Sequence, residues 1–285
     1  MNILMIGATG HFAGLVLPEL LKHGVTVRAL IRHADEADAA RRQGAAETVV
    51  GDLGDPASLR RAAAGMDGVF HLNPAFAPHE AEMGVAMVEA AQAAGVRKFV
   101  FSSVIHPSLS LMNHAAKRPV EAALYDSGLD FTVLQPTMFM QTLAGSWAQA
   151  AKTGQLAQPY SKQVQVCFVD YRDVAEAVAL AFTTDRLSRG TFELCAGGQI
   201  DGIGLAGLMG EALGRPVAAE EISAAQALQA MHLPAGPVYD GMAAMFAAYN
   251  SYGFAGGNSL VLQAILGREP RTLRQYFHEL AQQLT

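Results

Sequence analysis

Ile3-Leu4-Met5-Ile6-Gly7-Ala8-Thr9-Gly10-His11-Phe12-Ala13-Gly14 is the stretch that decides the fold. Four apolar residues in a row predict a strand buried on both faces, and the glycines after them predict a turn into a helix. Gly7, Gly10 and Ala13 are spaced G-x-x-G-x-x-A. Gly7 suits a tight turn, and Gly10 lets the backbone approach a diphosphate with no Cβ in the way. Ala13, with Gly14 beside it, keeps the helix close to the sheet. A diphosphate held here would rest on the helix N-terminus, where unpaired N–H groups and the helix dipole favour an anion. Alone, such a motif also fits an ordinary strand-to-helix turn, so its weight depends on what surrounds it.

The surroundings alternate short apolar runs with amphipathic stretches, the pattern of βαβ units. After the first strand, a helix carries Phe12, Leu15, Val16, Leu20 and Leu21 and stops at Gly24. Further strands are predicted over 25–31, 47–50, 68–72, 97–102 and 131–134. Asp55-Pro56 predicts a capped helix start. Helices over 80–94 and 113–127 end at Gly95 and Gly128. Beyond Pro136 the rhythm weakens, with strands expected at 164–169 and 191–194. Helices are expected near 138–151, 171–183, 203–213, 235–249 and 272–284. The expected fold is α/β, a doubly wound parallel Rossmann sheet over residues 1–136, with segments near 164–195 returning to it. A smaller, mostly helical C-terminal substrate lobe is expected over 137–285.

Composition limits the function. The 285 residues are 51% hydrophobic and 16% charged, with a net charge of −6. Such a chain is neither disordered nor a mainly electrostatic nucleic-acid binder. Two cysteines, Cys167 and Cys195, exclude a disulfide-stapled scaffold, and both lie in apolar runs that predict buried, inert thiols. The apolar opening stops at Gly7 without a basic leader, and no run is long enough to span a membrane, so a cytoplasmic location is expected by default.

The second strand indicates which dinucleotide. An NAD site usually carries an acid about 20 residues after the glycines, for the ribose 2′-hydroxyl. Here the strand ends Leu30-Ile31-Arg32-His33, with no carboxylate until Asp35. The planar fork of Arg32 suits a 2′-phosphate, with Thr9 and His33 as helpers, so NADP(H) is preferred and NAD(H) is the alternative. His11 and Phe12 complete the glycine turn. Asp52 and Leu53 follow the third strand and could flank adenine, although Asp52 equally reads as a turn cap. Asn73 ends the fourth strand, and Ser102 and Ser103 end the fifth.

Taken together, GATGHFAG (7–14), VRALIR (27–32), GDLGD (51–55), KFVFSS (98–103), HAAKRPVEAALYDSGLDFTVLQP (114–136), VDYRDVAEAV (169–178) and GREPRTL (267–273) resemble the NmrA-like branch of the atypical short-chain dehydrogenases/reductases. The resemblance covers nearly the whole chain. It implies an NADP-leaning Rossmann domain with a C-terminal substrate lobe, and it does not imply one activity: quinone and dye reductases, phenylpropanoid reductases and redox-sensing regulators share it. Full short-chain dehydrogenases use Tyr-x-x-x-Lys on the helix that carries Lys117. Four residues before Lys117 stands Asn113, so the lysine is kept and the phenol is gone. Tyr125, eight residues further on, is no simple replacement.

The resemblance to isoflavone-reductase-like proteins extends a catalytic role to Lys117, whose ammonium would bind ribose hydroxyls or polarise a substrate carbonyl. His114, one turn earlier, is the second catalytic candidate. Pro136 restrains the turn into the second lobe. Met138, Phe139, Trp147 and Tyr160 are substrate-pocket candidates, with core packing as the competing account for methionine. No metal-ligand spacing and no G-x-S-x-G elbow occur. Asp170 and Asp173 read as a helix start. The expected activity is NADPH-dependent hydride transfer to a small, apolar, quinone-like or conjugated carbonyl acceptor. The alternative is a non-catalytic NADP(H) sensor acting through a protein partner. Neither nucleic acid nor membrane is an expected partner, and homodimerisation stays open.

Overall fold

The apolar opening becomes β1 (Asn2–Ile6), whose Ile3, Leu4 and Met5 are fully buried in the middle of a seven-stranded sheet. The computed structural model describes residues 1–284. From β1 the chain runs through α1 (Val16–Lys22), β2 (Thr26–Ile31), α2 (Ala37–Arg42), β3 (Glu47–Val50), α3 (Pro56–Ala63) and β4 (Gly68–Leu72). It continues through α4 (Glu80–Ala93), β5 (Lys98–Ser102), α5 (Met112–Ala115), α6 (Arg118–Tyr125) and β6 (Asp130–Pro136). The sheet order is Gly190–Leu194, β6, β5, β4, β1, β2, β3, a parallel doubly wound Rossmann arrangement. The chain reverses direction across the sheet between β1 and β4, and such a switch point opens a crevice at the carboxyl ends of the strands.

Strand alternation sends Leu4, Val69, Phe99, Phe101 and Val133 to one face, where Leu59 of α3, Met87 of α4 and Val120 and Leu124 of α6 cover them. α3 starts as its sequence demands, with the Asp55 carboxylate accepting the Ala57 N–H at 2.9 Å and Pro56 in the first turn. The helix expected over 113–127 is instead two, α5 and α6, with Lys117 at the junction. Pro119 explains the break, because it has no N–H to offer and its ring excludes the carbonyl one turn back.

Two compact units result, Met1–Pro136 with Val174–Phe192, and Thr137–Asp173 with the residues from Glu193 onward. In the second, several expectations are corrected. The helix expected from 138 begins at Ala144, because Met138–Phe139 is a short strand paired with Phe168–Val169, and a 3-10 turn fills Met140–Leu143. Of the strand expected over 164–169, only Phe168–Val169 forms, with an isolated bridge at Val166. Gln155–Gln158 and Ala218–Glu221 pair in parallel, although neither carries β-branched residues. Cross-strand contacts such as Gln155 Nε2 to Glu220 Oε1 at 2.7 Å outweigh their poor strand propensity.

The second unit also contains two buried carboxylates. Asp170 caps the helix Tyr171–Thr183 by accepting the Arg172 N–H at 2.9 Å, and its oxygens also take Gln141 Nε2 at 2.8 Å and the Arg172 guanidinium. Arginine and hydrogen bonding hold its carboxyl below the usual range against the opposing effect of burial. Asp173 is clamped by Arg268 Nη2 at 2.7 Å, by the Arg271 guanidinium and by the Arg271 backbone N–H at 2.7 Å. The GREPRTL motif therefore serves the second unit's structure. Among the described residues, no helix is long and apolar enough to cross a membrane, and no group of three or more His, Cys, Asp or Glu could hold a metal ion.

Candidate functional site

At the carboxyl end of β1, Gly7 takes φ +76°, a conformation that favours glycine. The Gly10 N–H donates to Gly7 O at 2.8 Å, and the Gly14 N–H donates to Gly10 O at 2.9 Å. A Cβ on Gly10 would lie 3.0 Å from Gly7 O. The turn thus depends on missing side chains, and its rim of Thr9, Gly10 and His11 is exposed while Phe12 is half-buried. A 3-10 turn, Ala13–Leu15, stands where regular helix was expected, before α1 begins at Val16. An exposed, Cβ-free backbone at a strand's carboxyl end fits a dinucleotide's diphosphate.

At the end of β2, Arg32 and His33 are exposed, and the Arg32 guanidinium makes no ion pair among the described residues. Sequence spacing missed Glu36, whose carboxylate folds back to accept the Arg32 backbone N–H at 3.3 Å. After β3, Asp52 Oδ1 accepts the Gly54 N–H at 2.8 Å, and its backbone N–H donates to Ser58 Oγ at 3.0 Å. Asp52 is a turn cap in this structure, and the neighbouring Leu53 is half-buried.

A buried polar cluster lies at the carboxyl end of β4. His71 and Asn73, two apart, share one face of the strand, and His71 Nε2 hydrogen-bonds Asn73 Oδ1. Asn73 Nδ2 donates to Glu80 O at 3.0 Å. Glu80, at the start of α4, accepts the Phe76 N–H at 2.8 Å on one oxygen and the Lys117 ammonium on the other. Lys117 and Glu80 are each 3% exposed, so this ion pair is out of water. The loop between Asn73 and Glu80 is backbone-strained, with Phe76 at φ +64° and His79 at φ +61°. Glu80 was not singled out from sequence. The available cue is Gly84, one turn later, where a Cβ would lie 3.0 Å from Asn73 Oδ1 and so marks the face of α4 that meets β4.

Two histidines flank the lysine. Burial pushes His71 down from 6.5 to about 4, opposed by its bond to Asn73 and assisted by the Lys117 charge. Its Nε2–H is given to Asn73, and Nδ1 has no hydrogen-bond partner. His114 is also lowered, chiefly by burial, with backbone carbonyls opposing and Lys117 assisting. His114 Nδ1 lies 3.1 Å from the His106 carbonyl, which can only accept, so the ring's proton sits on Nδ1 and Nε2 is the basic nitrogen. Both rings are neutral near pH 7. The unfolded chain protonates His71 below about 6.5, but the folded ring resists until about 4. Stability is therefore unaffected above about 6.5 and falls by about 3 kcal/mol as the pH drops through that window. Urea midpoints measured across this range should show the slope, and His71→Gln should remove most of it.

Ser102 and Ser103 are buried at the end of β5. Ser103 Oγ donates to Glu121 Oε1 at 2.5 Å, which also accepts Gln135 Nε2 at 2.9 Å, so this serine's proton is committed to a structural carboxylate. Tyr125 hydrogen-bonds Thr191 at 3.0 Å and does not take the missing phenol's place. Pro136 is buried at the end of β6. In the second unit, Met138 and Phe139 are half-buried, and the Phe139 ring meets Tyr171 edge-on at 4.6 Å. Trp147 is buried and stacked on Phe277 at 5.6 Å. Tyr160 is buried against Tyr249, with its hydroxyl 3.4 Å from Gln158 Nε2.

Comparison with known proteins agrees with this geometry. A model of the NmrA-like family matches residues 1–281. The chain is 31% identical over 239 residues to an NAD(P)H azoreductase of Xenophilus azovorans, covering 80% of each. It is 28% identical over 204 residues to a photosystem II assembly factor of Synechocystis, covering 67% of this chain and 61% of that one. Among solved structures, an NADPH-dependent quinone oxidoreductase of Escherichia coli complexed with NADPH superposes with a TM-score of 0.83 at 24% identity, covering 98% of this chain and 99% of that one.

Proposed function

The chain belongs to the NmrA-like family, and from that premise we propose that it is an NADPH-dependent reductase passing hydride to a small quinone-like or conjugated carbonyl acceptor. The observation that carries the proposal is the Lys117 ammonium, held out of water by Glu80 at the carboxyl end of β4 between two neutral histidines. An ion pair is costly to bury, and a lysine placed this way suits a role at a site. The azoreductase relative and the NADPH-bound fold neighbour support the same reading.

When bound, the dinucleotide would supply the hydride. The Gly7–Gly10 backbone would hold its diphosphate, and Asn73, Ser102 and Pro136 would border it at their strand ends. Lys117 donates to ribose hydroxyls or to the acceptor oxygen as negative charge develops there. His114, neutral with its proton on Nδ1, orients the lysine's surroundings and is poorly suited to donate a proton. With Asn113 at the tyrosine position, the acceptor is one whose reduced form needs little help from a protein acid. Met138 and Phe139 are the second unit's candidates for contact with the acceptor.

Purified chain with NADPH should reduce at least one member of a panel of quinones, azo dyes, enals and enones. Bound cofactor with no consumption on any acceptor would overturn the proposal. The 2′-phosphate preference rests on Arg32. Arg32→Ala should weaken NADPH about 10- to 100-fold in a binding titration, the cost of one charge-assisted pair, and leave NADH nearly unchanged because NADH has no 2′-phosphate. Equal losses for both cofactors would show that Arg32 does not read the phosphate.

A second reading, a cofactor sensor acting on a protein partner, is favoured by Asn113 and by the assembly-factor relative. It predicts partner capture that changes when NADPH is added.

A further inference from the structure

Sequence alone treats Cys167 and Cys195 as separate core thiols, but the second unit brings them together. Val166 and Ile200 exchange backbone hydrogen bonds at 2.9 and 3.0 Å, and the Ala196 N–H donates to Phe168 O at 3.0 Å. The two cysteine segments thus run side by side. Each sulfur also meets a glycine of the intervening loop. Cys167 Sγ donates to Gly198 O at 3.2 Å, and the Gly197 N–H donates to Cys195 Sγ at 3.3 Å. Both glycines have positive φ, +91° and +76°.

The thiols are 0% and 1% exposed, and this loop lies against both sulfurs. Gly197 and Gly198, with Phe168 and Ala196, line a cavity of about 390 Å³ that also reaches Met140 and Leu208. The wall in front of the sulfurs therefore has no side chains at those two positions. The two thiols act on each other, Cys195 drawing Cys167 down while Cys167 and burial push Cys195 up.

We propose that Cys167 and Cys195 are a peroxide-reactive pair that closes reversibly to a disulfide, reached through the glycine wall of this cavity. The Cys167 sulfur gives up its proton and attacks one oxygen of a small hydroperoxide, the O–O bond breaks, and a sulfenic acid forms as water or an alcohol leaves with that proton. Cys195 sulfur then attacks that sulfur, the S–O bond breaks, and a second water forms with the Cys195 proton. Two thiols and one peroxide give one disulfide and two molecules of water, or of water and alcohol. A dithiol reductant reverses the bond by exchange. Closure removes the Cys167 donor from Gly198 O and so alters the cavity wall.

The test treats the folded full-length chain with one equivalent of hydrogen peroxide, then unfolds it in an alkylating reagent and maps the peptides by mass spectrometry. The expected product links the Cys167 and Cys195 peptides within one chain. It should form about tenfold or more faster than in urea-unfolded chain, because the fold holds both sulfurs against the same pair of glycines. In Cys195→Ser the link is lost, and a 1,3-diketone should trap sulfenic acid on Cys167. Two cysteines still fully alkylated after peroxide, or a link that forms no faster in the folded chain, would overturn the proposal. These readouts need neither NADPH nor turnover, so they stand apart from the reductase assignment.

Discussion

Lys117→Met is expected to abolish reduction and to destabilise the chain by about 3–5 kcal/mol, the usual cost of removing one partner from a buried ion pair. Methionine fills the volume of the lysine stem, so little of the loss comes from a cavity. What remains is the Glu80 carboxylate, 3% exposed and still accepting the Phe76 N–H. Adding Glu80→Gln removes that stranded charge, so the double variant should recover much of the stability while staying inactive. Urea unfolding reads the first effect, and acceptor-dependent NADPH consumption reads the second. The two measurements separate a lysine that acts on the reaction from one that only holds α4 to α6. Recovery of activity in the double variant would assign Lys117 to structure alone.

Asp173→Ala should lower the stability of the second unit by about 2–4 kcal/mol. Asp173 is fully buried and accepts hydrogen bonds from Arg268, the Arg271 guanidinium and the Arg271 backbone. Removing it leaves two guanidiniums without their acceptor. The arginine side chains are 37% and 30% exposed and can turn toward water, which keeps the cost below that of a fully sealed pair. Asp173→Asn keeps one acceptor oxygen and should lose about half as much. The check is thermal or urea unfolding followed by a probe in the second unit, such as Trp147 fluorescence. A change under about 0.5 kcal/mol, the range of ordinary surface substitutions, would mean that the clamp adds nothing.

How far the residues announced this structure depends on the distance over which each feature is decided. β1, the Gly7 turn and the six strands up to Pro136 are set by local runs and spacings, and each was readable. The break at Lys117 was readable in principle, since Pro119 stands two residues later. Glu80 was not, because Glu80, Glu82 and Glu89 look alike in sequence, and which one turns inward depends on α4 meeting β4 at Gly84. The arginine clamp joins Asp173 to residues 95 and 98 positions away, and no local pattern foretells it. Gln155–Gln158 and Ala218–Glu221 hide their pairing behind polar residues and alanine. Trp147 and Tyr160 look like pocket aromatics in sequence, whereas the fold gives each an aromatic neighbour in its own core. Nothing in the sequence joins Cys167 to Cys195, and only the fold brings their segments side by side.

The most direct measurement of the central claim is a single turnover. Chain preloaded with one equivalent of NADPH is mixed rapidly with a quinone, and loss of the dihydronicotinamide absorbance is followed together with appearance of the reduced acceptor. The account predicts that both signals change in step and at the same rate. It also predicts that the rate collapses in Lys117→Met/Glu80→Gln while the cofactor stays bound. Bound NADPH whose absorbance persists with every acceptor, or a double variant that reacts as fast as the parent, would contradict it.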